Sequence, residues 1–418
     1  MPPNTSAPNI VFVHVDQLHH RAISAYGAQH VRTPNIDRLI AEGTSFMLSY
    51  SANPVCCPAR ASWYTGRVSS EHGVVQNAKP LLESVPDIGQ WMGTRGYACY
   101  YVGKWHIPNR RVNRSFTQLP GGHGHGERGD AGVASTAVGF LQNYSGNRPF
   151  FLNVGFLNPH DCCFLTFAPK NPSIKFGSTD LLREELPPAP ASFDTEVGMT
   201  SREGGRWDTT KVRLYNYYYY RMVEMVDAEV GRVYDALRHC RYAENTLFIF
   251  TSDHGEMLGH NNLFKKGVFY DSALRVPLVC VFPGAVMSGQ RDSNHLVSGV
   301  DIPATILDYA GAEPMPGMTV ARSLRPLLEG TDVEWRQYVV SESYSGGPRR
   351  AVCTKNFKAV LYQDGSKRLY NMKNDPLEMR DVAGDPGYAE TLREARALHN
   401  EYVGSIVLHP EFQSFGEV

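Results

Sequence analysis

Apolar residues fall in two patterns along the chain. Short, mostly apolar runs occur at Asn9 to Val15 (NIVFVHV), Tyr97 to Val102, Phe150 to Phe156, Asn245 to Ser252 (NTLFIFTS) and Arg275 to Phe282. Runs of this length, rich in Val, Ile and Phe, predict strands covered on both faces. Between them the spacing is helical. Thr33 caps a helix with Pro34 in its first turn, a second helix covers about Pro58 to Thr65, and Val85 to Arg95 reads as a third. The longest runs from Trp207 to His239, with Val223, Val226, Val230, Val233 and Leu237 on one face. Past Trp335 the pattern changes to short strands (Tyr338 to Val340, Lys358 to Tyr362, Lys367 to Tyr370) before an amphipathic helix, Tyr388 to Val403. Residues 107–148 and 164–206 are rich in Gly, Pro and polar residues and read as long excursions over the sheet edge.

Strands alternating with helices predict an α/β fold with a doubly wound, mostly parallel sheet between helical layers. The change near Trp335 divides the chain into a catalytic-sized domain, 1–334, and a small α+β domain, 335–418. Three strands stop just before a chemically capable residue: Asp16, His160 and Asp253. Open α/β sheets bind ligands beyond the carboxyl ends of their strands, so these distant residues are expected to converge.

Composition narrows the function. With 41 basic and 42 acidic residues the net charge is −1, which gives no global pull toward nucleic acid. No run approaches the ~20 apolar residues of a membrane span. The start, MPPNTSAPN, has no basic segment followed by an apolar core. As read the chain is therefore cytoplasmic, or periplasmic or secreted if a signal has been removed. Eight cysteines include two adjacent pairs, Cys56-Cys57 and Cys162-Cys163, and neither is a C-x-x-C pattern. Cys99, Cys240 and Cys280 lie in apolar surroundings and are expected to be buried thiols.

Cys56-Cys57-Pro58-Ala59-Arg60 followed by Thr65-Gly66 resembles the signature of the sulfatase family within the alkaline phosphatase superfamily. Other segments resemble that family in order: Gly103-Lys104-Trp105-His106, Asn158-Pro159-His160, Thr251-Ser252-Asp253-His254-Gly255, Lys266-Gly267 and Leu369-Tyr370-Asn371. The resemblance runs from residue 9 to about 384. It implies an alkaline-phosphatase-like mixed sheet. It also implies that Cys56 is oxidised to formylglycine by a formylglycine-generating enzyme, and that one divalent metal is held by Asp16, Gln17, residue 56, Asp253 and His254. Ca²⁺ is the first expectation, with Mn²⁺ or Mg²⁺ as alternatives.

Each role has a chemical reason. A sulfate ester is an anion, and a divalent ion offsets the charge met by an incoming nucleophile. The hydrated aldehyde at residue 56 would attack sulfur with one hydroxyl, and its second hydroxyl offers a route to expel sulfate. Lys104 and Lys266 would hold sulfate oxygens, and Arg60 would orient the nucleophile. His106 is the candidate base and His160 the candidate acid for the leaving alcohol. Lys265, beside Lys266, is expected to be solvated. His123 and His125 lie in a glycine-rich loop where exposed histidines are usual, and one or two of Tyr217 to Tyr220 belong in the core.

The chain departs from the common pattern at Gln17 and His254, where Asp and Asn are usual. These look like choline sulfatases and phosphonate monoester hydrolases of the superfamily. Asn-Pro-His-Asp-Cys has some likeness to the heparan N-sulfatase region. The leading expectation is a sulfatase acting on a sulfated small molecule or glycan. A phosphonate monoester or phosphodiester hydrolase, and a glycan-binding protein without turnover, are the alternatives. Oligomeric state is not legible.

Overall fold

A computed structural model describes residues 7–122, 124–165, 186–194, 199–200, 206–344 and 346–410. His123 and much of the 164–206 excursion lie outside the described residues.

In chain order the elements that position the site are β1 (Asn9–Asp16), α1 (Pro34–Glu42), β2 (Thr44–Phe46), α2 (Cys56–Thr65), β3 (Ala98–Gly103), β4 (Thr117–Gln118) and α3 (Gly126–Asn143). They continue with β5 (Phe150–Pro159), α4 (Thr209–Arg238), β6 (Thr246–Ser252), β7 (Leu278–Val281) and β8 (Gln290–Asp292). The eight strands form one sheet in the order β8-β2-β7-β6-β1-β5-β3-β4. β1 runs parallel to both β5 and β6, while β7 runs against β6 and β2. The sheet is thus mixed and mostly parallel, as the apolar runs imply.

The central strands are covered on both faces. Val11, Val13 and Val15 pack with residues of α1, α3 and α4, and Ile10 and Phe12 pack with Trp63 and Tyr64 of α2 on the other side. This two-sided burial is why the strand sequences show little polar alternation.

Register decides what meets at the carboxyl edge. Val15 lies opposite Ser252, and Asp16 lies opposite Pro159 after an irregularity between His14 and Asp16. The ends of β1, β5 and β6 therefore bring Asp16, His160 and Asp253 to one rim. Gly103 makes a close approach there. Its φ is 94°, and a Cβ would come 2.0 Å from the Gly155 carbonyl oxygen. A Gly103→Ala substitution is expected to destabilise the protein by about 1–3 kcal/mol and to shift Lys104. Unfolding midpoints in denaturant measure the first, and an unchanged midpoint would remove the constraint.

Two expectations need correction. The 107–148 excursion contains α3, eighteen residues long, whose Val133, Ala134, Ala137 and Leu141 are buried. Its glycines and polar residues masked an apolar stripe that packs on the sheet. Cys99 and Cys240 are only half-buried, and Cys280 alone of the three is fully inside. Cys240 follows the end of α4, where the chain turns back to the surface.

The C-terminal segment forms an antiparallel sheet of β9 (Val339–Ser343), β10 (Arg349–Cys353), β11 (Phe357–Tyr362) and β12 (Lys367–Asn371), followed by α5 (Ala389–Ser405). β10 carries Arg349 and Arg350 among its five residues, so its pattern is not a plain apolar run. The sheet is tied to the larger part by buried charge. Lys358 Nζ donates to Glu378 at 2.8 Å and to the Asp271 carboxylate, and Ser70 N donates to Glu342 at 2.7 Å. No described helix is long and apolar enough to cross a membrane.

Candidate active site

The site begins where β1 ends. Asp16 is fully buried, and Gln17 turns the chain with a φ of 71°, a conformation an L-residue adopts only when held. Here it is held on four sides. Gln17 N donates to Asp253 at 3.0 Å, and its carbonyl accepts from Tyr219 at 2.7 Å. Its Oε1 accepts from Lys266 Nζ at 2.6 Å, and its Nε2 donates to Glu256. In this structure the Gln17 side-chain oxygen thus faces Lys266.

Cys56 is the first residue of α2, after the extended Val55, and every residue of α2 is buried. Its thiol therefore sits at a helix N-terminus, where the dipole favours negative charge. Cys56 Sγ lies 3.0 Å from Lys266 Nζ, 3.1 Å from His254 Nε2 and 3.8 Å from Asp16. Burial and Asp16 oppose its ionisation, but Lys266, His254 and His106 carry the thiol well below its ordinary pKa. Such a thiol is reactive rather than inert.

Arg60 lies one turn along α2 and points inward. Its Nε donates to Asp253 at 2.9 Å and its Nη2 to Asp16 at 3.2 Å, with all three side chains shut off from solvent. Its Nη1 donates to the Lys104 carbonyl at 2.8 Å and contacts His14 Nδ1 at 3.3 Å. Lys104 Nζ reaches Asp16 at 2.6 Å. Burial works against the Asp16 carboxylate, yet Lys104, His160, Lys266 and Arg60 hold it well below the usual range. Burial and the neighbouring Asp16 push Asp253 the other way.

The donor set fits a divalent cation. Asp16, Cys56, Asp253 and His254 each offer an atom within 4.8 Å of the others, and all are buried. His254 Nδ1 faces the Gly255 carbonyl at 2.9 Å, so Nδ1–H donates and Nε2 keeps its lone pair toward the cluster. Two carboxylates placed this close in a buried site repel each other, and a cation relieves that repulsion.

The remaining residues stand around the cluster. His106 is exposed, with a φ of 59°, and the adjacent Cys56 and Cys57 thiols raise it to about 8. His160 follows β5 and is half-buried, and its Nδ1 has no hydrogen-bond partner among the described residues. Asp130 of α3 steadies that turn, accepting from Leu157 N at 2.7 Å and Asn158 N at 2.9 Å. His125 also reaches it, 3.7 Å from Asp161 and with its ring 4.6 Å from Phe164. Lys265 is exposed while Lys266 points into the cluster.

Three residues escaped the sequence reading. Glu256 is buried and accepts from Gln17 and from Lys265 N at 2.6 Å. Its position two residues after His254 was the available signal. Tyr219, the core member of the tyrosine run, donates to Gln17 and accepts from His19 N. His14 contacts Arg60, Tyr64 and Tyr101 beneath the cluster, and a lone histidine in an apolar strand was its only mark. Gln17 Nε2 also lies 3.4 and 3.3 Å from the Cys162 and Cys163 sulfurs, so that pair borders the site.

Comparison with known proteins identifies relatives of the whole chain. A family model described as "Sulfatase" matches residues 8–312, and one described as "N-sulphoglucosamine sulphohydrolase, C-terminal" matches residues 259–402. An arylsulfatase of Clostridium perfringens is 26% identical over 458 residues, covering 94% of this chain and 93% of the relative. A delta 4,5-hexuronate-2-O-sulfatase of Bacteroides thetaiotaomicron is 29% identical over 434 residues, covering 95% and 89%. The solved structure of a 2-O GAG sulfatase superposes with a TM-score of 0.83 at 26% identity, covering 97% of this chain and 96% of that one.

Proposed function

The chain belongs to the sulfatase family, whose model spans residues 8–312, and from that premise we propose that it hydrolyses a sulfate ester on a sulfated carbohydrate, using formylglycine made from Cys56. The observation that carries this reading is the buried meeting of Cys56 with Lys266, His254 and Asp16 at the sheet's carboxyl edge. The carbohydrate assignment is supported by the hexuronate and GAG sulfatases among its relatives.

Asp16, residue 56, Asp253 and His254 would hold a divalent ion, which would supply positive charge against the sulfate, and oxidised residue 56 would supply the nucleophilic oxygen. The other side chains have separable tasks. Arg60 fixes both carboxylates from within the core. The ammonium groups of Lys104 and Lys266, now on Asp16 and on Cys56 and Gln17, carry the charge that holds sulfate. His106 removes a proton near residue 56. His160, with a nitrogen left unpaired, donates one to the leaving alcohol oxygen.

The acid role has its own test. His160→Gln is expected to slow hydrolysis of a sugar sulfate about 10²-fold, with a smaller loss on an aryl sulfate. A phenol leaves without much help, whereas a sugar alkoxide does not. Equal losses on both substrates would take the acid role from His160.

The ion is Ca²⁺ in our reading, because oxygens from Asp16, Asp253 and oxidised residue 56 outnumber the single His254 nitrogen. His254 nitrogen is the donor that favours Mn²⁺. Chelation is expected to lower stability by about 2–3 kcal/mol at a metal concentration near 100 times its dissociation constant. Melting curves after adding back Ca²⁺ or Mn²⁺ decide the ion, and recovery with Mn²⁺ alone overturns the Ca²⁺ assignment.

The test of the whole reading joins a mass to an activity. Protein made together with a formylglycine-generating enzyme is digested, and the peptide holding residue 56 is weighed. An aldehyde in place of the thiol, with sulfate released from a 2-O-sulfated uronate disaccharide, is expected. An unmodified cysteine, or faster turnover of an aryl phosphonate than of any sulfate ester, overturns it.

A further inference from the structure

A positively charged cavity lies on the same rim of the sheet, outside the metal cluster. It has a volume of about 250 Å³, and its walls include His20, Arg21, Tyr26, Met47 and Arg275. Met47 follows the carboxyl end of β2, and Arg275 precedes β7, which runs antiparallel. Both therefore sit at the edge where β1 ends in Asp16. His20 is four residues beyond Asp16, which limits their separation to about 14 Å of extended chain.

The walls hold donors that the protein leaves unused. His20 is 5% exposed, and its Nδ1 has no hydrogen-bond partner among the described residues. Arg275 Nε is buried and equally unpartnered. The rest of that guanidinium is spent on Asp271 at 3.3 Å and on the Met47 carbonyl. Arg21 is exposed at the mouth. The carboxylates whose charge it feels, Asp271 and Glu378, are already engaged by Arg275 and Lys358. Buried donors are nearly always paired, so two orphans on side chains that line one charged cavity mark a place for an acceptor. A guanidinium beside a ring N–H suits an oxyanion better than a neutral acceptor.

We propose that this cavity is an oxyanion site, distinct from the metal cluster, that binds a sulfate or carboxylate group through Arg21, His20 and Arg275. The group is either a second anionic substituent of the substrate or a free oxyanion from solution. The site itself does not depend on the sulfatase reading, because it can be filled without turnover.

Selenate is the probe. Crystals soaked with it and measured at the selenium edge are expected to show anomalous density between Arg21, His20 and Arg275. Arg21→Gln is expected to remove that density while leaving any at residue 56. An empty wild-type cavity, or equal density in the variant, overturns the proposal. Kinetics then separates the two sources. If the group belongs to the substrate, Arg21→Gln raises KM for a disulfated disaccharide about tenfold and leaves an aryl sulfate unchanged. Unchanged KM for both, with the selenate density lost, assigns the site to a free oxyanion.

Discussion

Cys56→Ala is expected to lower turnover on the order of 10⁶-fold, the scale seen when a nucleophile is removed, while the fold persists. Alanine has no side-chain group for an enzyme to oxidise, so residue 56 would lack any nucleophilic oxygen. The loss should be confined to chemistry. Position 56 opens a buried helix, where alanine has the best propensity, and only one sulfur is deleted. Lys266 keeps Gln17 at 2.6 Å and Asp16 at 4.0 Å, so its ammonium is not abandoned. The check is sulfate release from an aryl sulfate beside a thermal melt of the same preparation. A variant that melts normally and keeps more than a small fraction of the wild-type rate would rule out residue 56 as nucleophile.

Arg60→Ala is expected to destabilise the metal-free protein by about 3–5 kcal/mol, because it strips a charged partner from each of two buried carboxylates. Arg60, Asp16 and Asp253 are all closed to solvent, and the guanidinium joins the two acids directly. Burial alone would weaken the guanidinium's charge, but Asp253 and Asp16 more than restore it, raising its pKa. Without it, more of the repulsion between Asp16 and Asp253 falls on the bound ion. Added divalent metal should therefore recover more stability in Arg60→Ala than in the wild type. Denaturant titrations with and without chelator measure both quantities. A metal-free variant as stable as wild type would mean that Arg60 is not the strut between β1 and β6.

These two residues mark the border between what can be read along the chain and what cannot. Cys56 and Arg60 stand four apart in one segment, so a helix places them one turn apart and their spacing alone suggests a shared task. The same holds for the ends of the apolar runs: continuous burial predicts parallel central strands, and their carboxyl ends predict a site. Asp16, His160 and Asp253 were legible for that reason. The choice of Lys266 over Lys265 was legible through its neighbours, although only the folded turn, with Lys265 at φ 67°, sends the two side chains opposite ways.

Other features came from tertiary structure alone. The helix α3 was hidden in a glycine-rich stretch because its apolar stripe is short of large residues and gains stability by packing on β5 and α4. Glu256, Tyr219 and His14 owe their roles to partners that are 239, 202 and 46 positions away in sequence. The cavity between His20 and Arg275 likewise joins positions far apart in sequence. Local sequence determines which segments are strands and helices, since periodicity and burial act over a few residues. Strand register and the inward turn of charged side chains depend on contacts between remote segments. Their energies exist only once the chain has closed on itself, and it is those contacts that turn a row of plausible residues into one buried cluster.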